Sequence, residues 1–159
     1  MVDQTELDLT ALLEQEEQLQ LRKFDNDIAW QLGSRLVAVA QRDQLPITID
    51  ITRGTHQLFH AAMPGTSADN DEWIRRKTAL VYRFGHSSYY VGRTYTDRGA
   101  RFEDEPHWDQ ALHAAHGGCF PLRVRDAGLV ATMTVSGLPQ ARDHEVVVTL
   151  LAEFIASQG

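Results

Sequence analysis

Apolar residues recur three or four positions apart through the first quarter of the chain, and then the pattern changes to strict alternation. Leu9, Leu12, Leu13 and Leu19 predict a helix over about residues 5–18. Its other face is acidic, with Glu6, Asp8, Glu14, Glu16 and Glu17 expected in solvent or against a neighbouring subunit. Asp25 is placed to cap a second helix over about 26–42, whose stripe is Ile28, Leu32, Leu36, Val39 and Ala40. After Pro46 the period becomes two. Ile47, Ile49 and Ile51 alternate with Thr48, Asp50 and Thr52, as in a half-buried strand. Arg53-Gly54-Thr55 then predicts a turn and His56–Met63 the returning strand of a hairpin.

Pro64-Gly65-Thr66-Ser67 separates this hairpin from a third helix, capped by Ser67 or Asp69 and carrying Trp73, Ile74, Leu80, Val81 and Phe84 on its buried stripe. Gly85 suits its end. His86–Thr96 carries both signals: Ser87 can cap a helix, while Tyr89, Tyr90 and Val91 suit a strand, and helix is the expectation. Residues 97–106 are charged and contain glycine, so they predict a surface loop. A short helix is expected after Asp109, ending at Gly117-Gly118. A second hairpin follows, with strands Cys119–Arg125 and Leu129–Ser136 about the turn Asp126-Ala127-Gly128. Pro139 sits near the start of a last helix that buries Val146, Val147, Leu150, Leu151, Phe154 and Ile155. Hairpins pair antiparallel, so residues 1–159 predict one α/β (α+β) domain with a mainly antiparallel sheet flanked by helices.

Composition narrows the partners. The chain has 159 residues and a formal net charge of −7, which disfavours phosphate backbones and makes nucleic acid a poor partner. Arg75-Arg76-Lys77 is too short to reverse that balance and reads as a charged helix face. The single cysteine, Cys119, excludes an intramolecular disulfide and fits a reducing compartment. The polar, acidic start does not resemble a secretory signal, and no apolar run approaches the ~20 residues that span a membrane. A cytoplasmic protein is therefore expected.

No phosphate-binding glycine loop, dinucleotide fingerprint or Gly-x-Ser-x-Gly elbow is present, and one cysteine rules out cysteine-rich zinc sites. Seven histidines remain. His56 and His60 are expected on one strand face, roughly 13 Å apart at ~3.3 Å per residue, so they cannot chelate one metal together. His113 and His116 have i, i+3 spacing, which on a helix permits joint ligation, although surface or capping roles are the commoner use. Ala115-His116-Gly117-Gly118 has two readings. The glycines can let a backbone approach a ligand beside an imidazole able to ligate iron or move protons, or His116 and Gly117 can simply cap a helix. Lys77 interrupts an apolar stripe and either snorkels outward or ion-pairs in a pocket with Asp50 or Asp143. Asp143 and His144 are adjacent on a helix and point ~100° apart, so they form no dyad, and the helix dipole accounts for Asp143. Cys119 reads as a small buried apolar group, since a nucleophilic role needs a base such as His116 beside it.

Several strings now combine. They are Phe24-Asp25-Asn26-Asp27, the run from Gln57 to Ser67, the run from Asn70 to Lys77, Arg83-Phe84-Gly85-His86-Ser87-Ser88, Ala114-Ala115-His116-Gly117-Gly118, and Val135-Ser136-Gly137-Leu138-Pro139-Gln140 followed by Asp143-His144. Together, over about residues 5–155, they resemble the bacterial and fungal branch of the HbpS-like, GlcG-like (heme-degrading-domain) family. The resemblance implies a profilin-like α/β subunit with a five-stranded antiparallel sheet and flanking helices. It also implies large symmetric homo-oligomers. Some relatives bind or degrade heme, one takes part in redox sensing, and a fungal relative is linked to chaperone-type assembly. The chain departs from the pattern in two ways. It carries no established heme-ligand signature, and Cys119 stands where a third small residue is expected after the glycine pair.

The leading expectation is an oligomer with a pocket for heme or another planar anionic small molecule. Its candidate lining is Arg53, His60, Arg76, Lys77, His86, His116, Gly117 and Gly118. Arg76 and Lys77 would receive carboxylates, and His116, or else His60, would approach a metal. Two other classes stay open: a non-enzymatic assembly or chaperone-adaptor protein, and an enzyme acting on a small organic acid with Lys77 and a histidine as acid and base.

Overall fold

The isoleucines of 47–51 are fully buried, and the sheet is built around them. A computed structural model describes residues 3–158. Its elements run α1 (Leu9–Gln18), β1 (Gln20–Leu21), α2 (Asn26–Asp43), β2 (Thr48–Arg53), β3 (His56–Ala62), α3 (Ala68–Phe84), α4 (Ser88–Thr96), β4 (Cys119–Val124), β5 (Gly128–Ser136) and α5 (Gln140–Ser157), with short 3₁₀ turns at Gln4–Glu6 and Phe102–Asp104. The five strands lie in the order β1-β4-β5-β2-β3. All pairings are antiparallel except β1 with β4, which is parallel.

The two faces of the sheet differ in chemistry. Cross-strand partners share a face, so the pairs Ile49–Val135, Ile51–Met133, Ile51–Phe59 and Phe120–Met133 define an apolar side. It joins Leu32, Leu36, Val147, Leu151 and Phe154 of α2 and α5 in the main core. The other side carries the rows Cys119–Thr134–Asp50–His60 and Pro121–Thr132–Thr52–Gln57. Helix α3 packs on this polar side through hydrogen bonds: Thr78 to Thr134 at 3.2 Å, Asn70 to Ser136 at 3.3 Å, and the Tyr82 hydroxyl to the Thr52 carbonyl at 3.2 Å. A polar layer under a helix needs its groups paired, and the threonine and serine hydroxyls do much of that pairing.

Capping follows the sequence closely. Asp25 accepts from the Ile28 amide, Ser67 and Asn70 form a capping box at α3, Ser87 accepts from the Tyr90 amide at α4, and Gly85 ends α3 at φ 75°. The helical expectation for His86–Thr96 is therefore met.

Four expectations are corrected. The helix expected after Asp109 is a set of turns: Asp109 accepts from the Leu112 and His113 amides through its carbonyl and from the Ala111 amide through its side chain, and the turn does not propagate. His113 and His116 therefore share no helix, and the C-cap reading of His116 and Gly117 falls with it. The β2–β3 register shifts between Ile51 and Thr52, leaving Leu58 as an extra residue. His60 consequently shares the Asp50 face while His56 shares the Arg53 face, so the two histidines lie on opposite sides. Glu16 is buried at 4% exposure instead of facing solvent, beside Arg123 (3.5 Å) and His86 (3.3 Å). The segment 97–106 is not all surface: Phe102 is buried and meets Phe84, Tyr95 and Trp108 in an aromatic cluster.

Candidate functional site

The cleft forms where the N-terminal ends of α3 and α5 meet the loop that precedes β4. Asn70 is set by the capping box, Trp73 and Lys77 follow at successive turns of α3, and Gln140 and Asp143 lie on the first turn of α5. Between them runs the loop carrying His116, tied down where the Gly117 amide donates to Gln140 Oε1 at 3.0 Å and the Ala114 amide to the Arg76 carbonyl at 3.2 Å.

Lys77 is the floor of this cleft. Only 3% exposed, it donates through Nζ to the Val135 carbonyl at 3.2 Å and to Asp143 Oδ2 at 3.3 Å. Asp143 Oδ1 in turn accepts from the Leu138 amide at 3.0 Å. Of the two partners open to Lys77 in the sequence, Asp143 is the one it meets. Burial pushes the Asp143 carboxyl up to about 6 against the pull of Lys77, and burial lowers the Lys77 ammonium against the pull of Asp143. Gly118 makes the pair possible: at φ 136° its missing Cβ would lie 2.8 Å from Lys77 Nζ and would collide with the Val135 carbonyl oxygen. Gly117 is equally crowded, by the Gln140 carbonyl and the Tyr89 ring. Both glycines thus serve close packing of protein on protein.

His116 walls three cavities. One of about 210 Å³ is lined by Asn70, Trp73, Lys77, Ser136, Gln140 and Asp143 among others. Two more, of about 380 and 260 Å³, share Arg101, Phe102, Glu103, Ala115 and His116. The imidazole packs on the Trp73 ring at a centroid distance of 5.2 Å, and its Nε2 is 4.0 Å from Glu103 Oε1. Burial lowers its pKa, opposed by Glu103 and reinforced by the cations of Lys77, Arg76 and Arg101, so the ring is neutral near pH 7. Arg76 lies over Trp73 at 4.2 Å and donates to the Gln110 carbonyl at 3.3 Å.

The cleft therefore gathers Arg76, Lys77, His116, Gly117 and Gly118. Arg53, His60 and His86 have other partners. Arg53 donates to Asn26 and lies 5.4 Å over Phe24. His60 bridges Asp50 (3.1 Å) and Asp71 (3.5 Å), and His86 faces Glu16 and Tyr90. Cys119 is fully buried, and burial pushes its thiol up to about 12, which makes it inert. Sequence reasoning missed Asn70, Gln140, Arg101, Phe102 and Glu103. Asn70 had a signal, three residues after the cap Ser67; the loop residues had none.

Fold and cleft together define a one-domain α+β protein with a lysine–aspartate pair buried beneath a histidine wall. Residues 24–152 match the model of the haem degrading protein HbpS-like family, and the chain belongs to that family. A UPF0303 protein of Streptomyces coelicolor is 50% identical over 144 residues, 91% of each chain. A UPF0303 protein of Psychromonas ingrahamii is 43% identical over 152 residues, 96% of each chain. The crystal structure of the Ybr137w protein superposes with a TM-score of 0.87 at 31% identity, over 96% of this chain and 90% of that one. The crystal structure of a PduOC:heme complex shares the fold, with a TM-score of 0.65 at 22% identity over 83% of this chain and 94% of that one. Among the described residues, no helix is long and apolar enough to cross a membrane.

Proposed function

We propose that the chain binds haem, or a similar planar anionic tetrapyrrole, against the wall formed by His116, Trp73, Phe102, Arg76 and Arg101. The carrying observation is a neutral, partly buried imidazole shared by adjoining cavities lined by three arginines, Arg76, Arg93 and Arg101. The residues fit the group. Among the described residues no cluster of three or more His, Cys, Asp or Glu could hold a bare metal ion. Haem brings four nitrogen ligands to its own iron and asks the protein for a single further donor, which neutral His116 can be. Arg76 and Arg101 suit its carboxylates, and the Trp73 ring suits its flat apolar face, while Phe102, buried in its aromatic cluster, supports the cavity from behind. Bound, haem would supply redox chemistry at iron; the chain's own part is to position it and limit its contact with water.

Family membership and the heme-complex neighbour of the same fold support this reading. Haemin titration tests it. A stoichiometric Soret shift is expected, weakened about tenfold or more in His116→Ala with little change in melting. No shift in the parent protein overturns it. The same titration, continued with a reductant in air, reports whether bound haem is consumed.

The chain is further inferred to assemble with copies of itself. Family membership supports this, and Trp30, 65% exposed, and Leu112, 51% exposed, are apolar side chains available to such a contact.

A further inference from the structure

The smallest of the three cavities has a chemistry that haem does not use. It is a polar recess between the N-terminal ends of α3 and α5, and Lys77 is part of its lining. At ~30 Å³ per water, its 210 Å³ holds about seven waters, or an organic molecule of similar heavy-atom count. Asn70, Ser136 and Gln140 add polar groups that can orient such a molecule.

The choice of cation is informative. The chain has thirteen arginines and two lysines, Lys23 and Lys77. Lys23 is exposed; Lys77 is the buried one. A guanidinium stays charged in proteins, whereas an amine can lose its proton and become a nucleophile. This recess is thus given a cation able to be neutral, in a sequence that otherwise almost always uses arginine. A neutral amine has two N–H donors. The structure offers them two acceptors, the Val135 carbonyl and Asp143 Oδ2.

We propose that this recess is a binding site for small polar aldehydes or ketones, which Lys77 captures reversibly as an imine. The Nζ lone pair attacks the carbonyl carbon and the C–N bond forms. The carbonyl π electrons pass to oxygen, which takes a proton from the Asp143 carboxyl, 3.3 Å from Nζ. The nitrogen then returns a proton to Asp143, the hydroxyl leaves as water with a further proton from that carboxyl, and the C=N bond closes; loss of the iminium proton gives the neutral product. In sum, amine and carbonyl become imine and water, with no oxidant or reductant. Asp143, lifted toward neutrality by burial, is suited to carry these protons. The inference does not require haem, although His116 and Trp73 border both this recess and the proposed haem wall.

Reductive trapping tests it. The full-length protein is incubated near pH 7 with pyruvate or glycolaldehyde and cyanoborohydride, and labelled peptides are quantified by mass spectrometry. Lys23 and the N-terminal amine are internal controls in the same molecule. Burial favours the free-base form of Lys77, and the recess binds the carbonyl beside it, so Lys77 should label faster than Lys23 with at least one of the two compounds. The rate should saturate with carbonyl concentration, as binding before capture requires. Asp143→Asn should slow trapping about tenfold or more, while the ratio of Lys77 to Lys23 in the unmodified protein needs no variant to fold. Labelling of Lys77 no faster than Lys23 with both compounds, or a rate that stays linear in concentration, overturns the proposal.

Discussion

Lys77 Nζ lies 3.3 Å from Asp143 Oδ2, with the two side chains 4% and 2% exposed. A buried ion pair gains little over an apolar pair of the same shape, but breaking it strands a charge. Asp143→Ala leaves Lys77 with only the Val135 carbonyl and should lower stability by about 3–5 kcal/mol in urea unfolding. The double change Lys77→Met with Asp143→Leu should recover most of that loss. If it is as unstable as Asp143→Ala alone, the lysine charge is not what the aspartate compensates.

Gly118 supports the same pair from the backbone. Its φ of 136° is a conformation that side chains rarely adopt, and the volume a Cβ needs is taken by the Val135 carbonyl, Lys77 Nζ and the Asp143 Cβ. Gly118→Ala should therefore lower stability by about 2–4 kcal/mol, combining backbone strain with overpacking. Gly54→Ala, also at positive φ but with nothing within 4 Å, carries only the strain and should lose less. Equal losses in the two variants would remove the packing argument.

Most elements were legible because each has a local cause. The capping residues Asp25, Ser67 and Ser87, the end glycine Gly85 and the strand at 47–52 all have causes within a few residues and appear where expected. That strand, however, is buried on both faces, Thr48 and Asp50 included, where the alternation predicts half-burial, because α3 covers its polar side. What escaped depends on contacts distant in sequence. Strand β1 is two residues long and exists because Gln20 and Leu21 pair with Arg123 and Val124, about a hundred residues on. Glu16 sits on an acidic helix and gives no sign of burial; only the fold brings Arg123 and His86 to it. The bulge at Leu58 separates His56 from His60 without a glycine to announce it. At the cleft, Lys77 and His116 could be named from their neighbours in sequence. Arg101, Phe102 and Glu103 could not, because their place depends on how a long loop folds over an aromatic cluster.

Trp30 bears on assembly. It stands on α2 at 65% exposure, with its ring 5.6 Å from Phe59 of the edge strand β3. Light scattering of the parent protein should give a mass well above 17.9 kDa. Trp30→Glu should reduce that mass or make it concentration-dependent while leaving the monomer fold intact by circular dichroism. A parent mass near that of one chain would end the assembly reading.

His144 sets a dependence on acid. It is 1% exposed, its ring stacks on Tyr89 at 4.8 Å, and its Nε2 lies 2.8 Å from Gln15 Oε1, while Nδ1 has no hydrogen-bond partner. Burial pushes its pKa down to about 3. In the unfolded chain the ring titrates near the ordinary value of ~6.5. Between those values the unfolded state binds the extra proton, so stability falls as pH drops through this window, by at most about 1.4 kcal/mol per pH unit from this group. Above pH 6.5 the ring is neutral in both states and adds no slope. His144→Gln removes the titration and keeps an amide able to reach Gln15. Urea unfolding of parent and variant between pH 4 and 7 separates this group from the carboxylates that titrate in both. The difference in their stabilities should be flat near pH 7 and should shift toward the variant as pH falls. A constant difference across the window would mean that the histidine is not buried neutral.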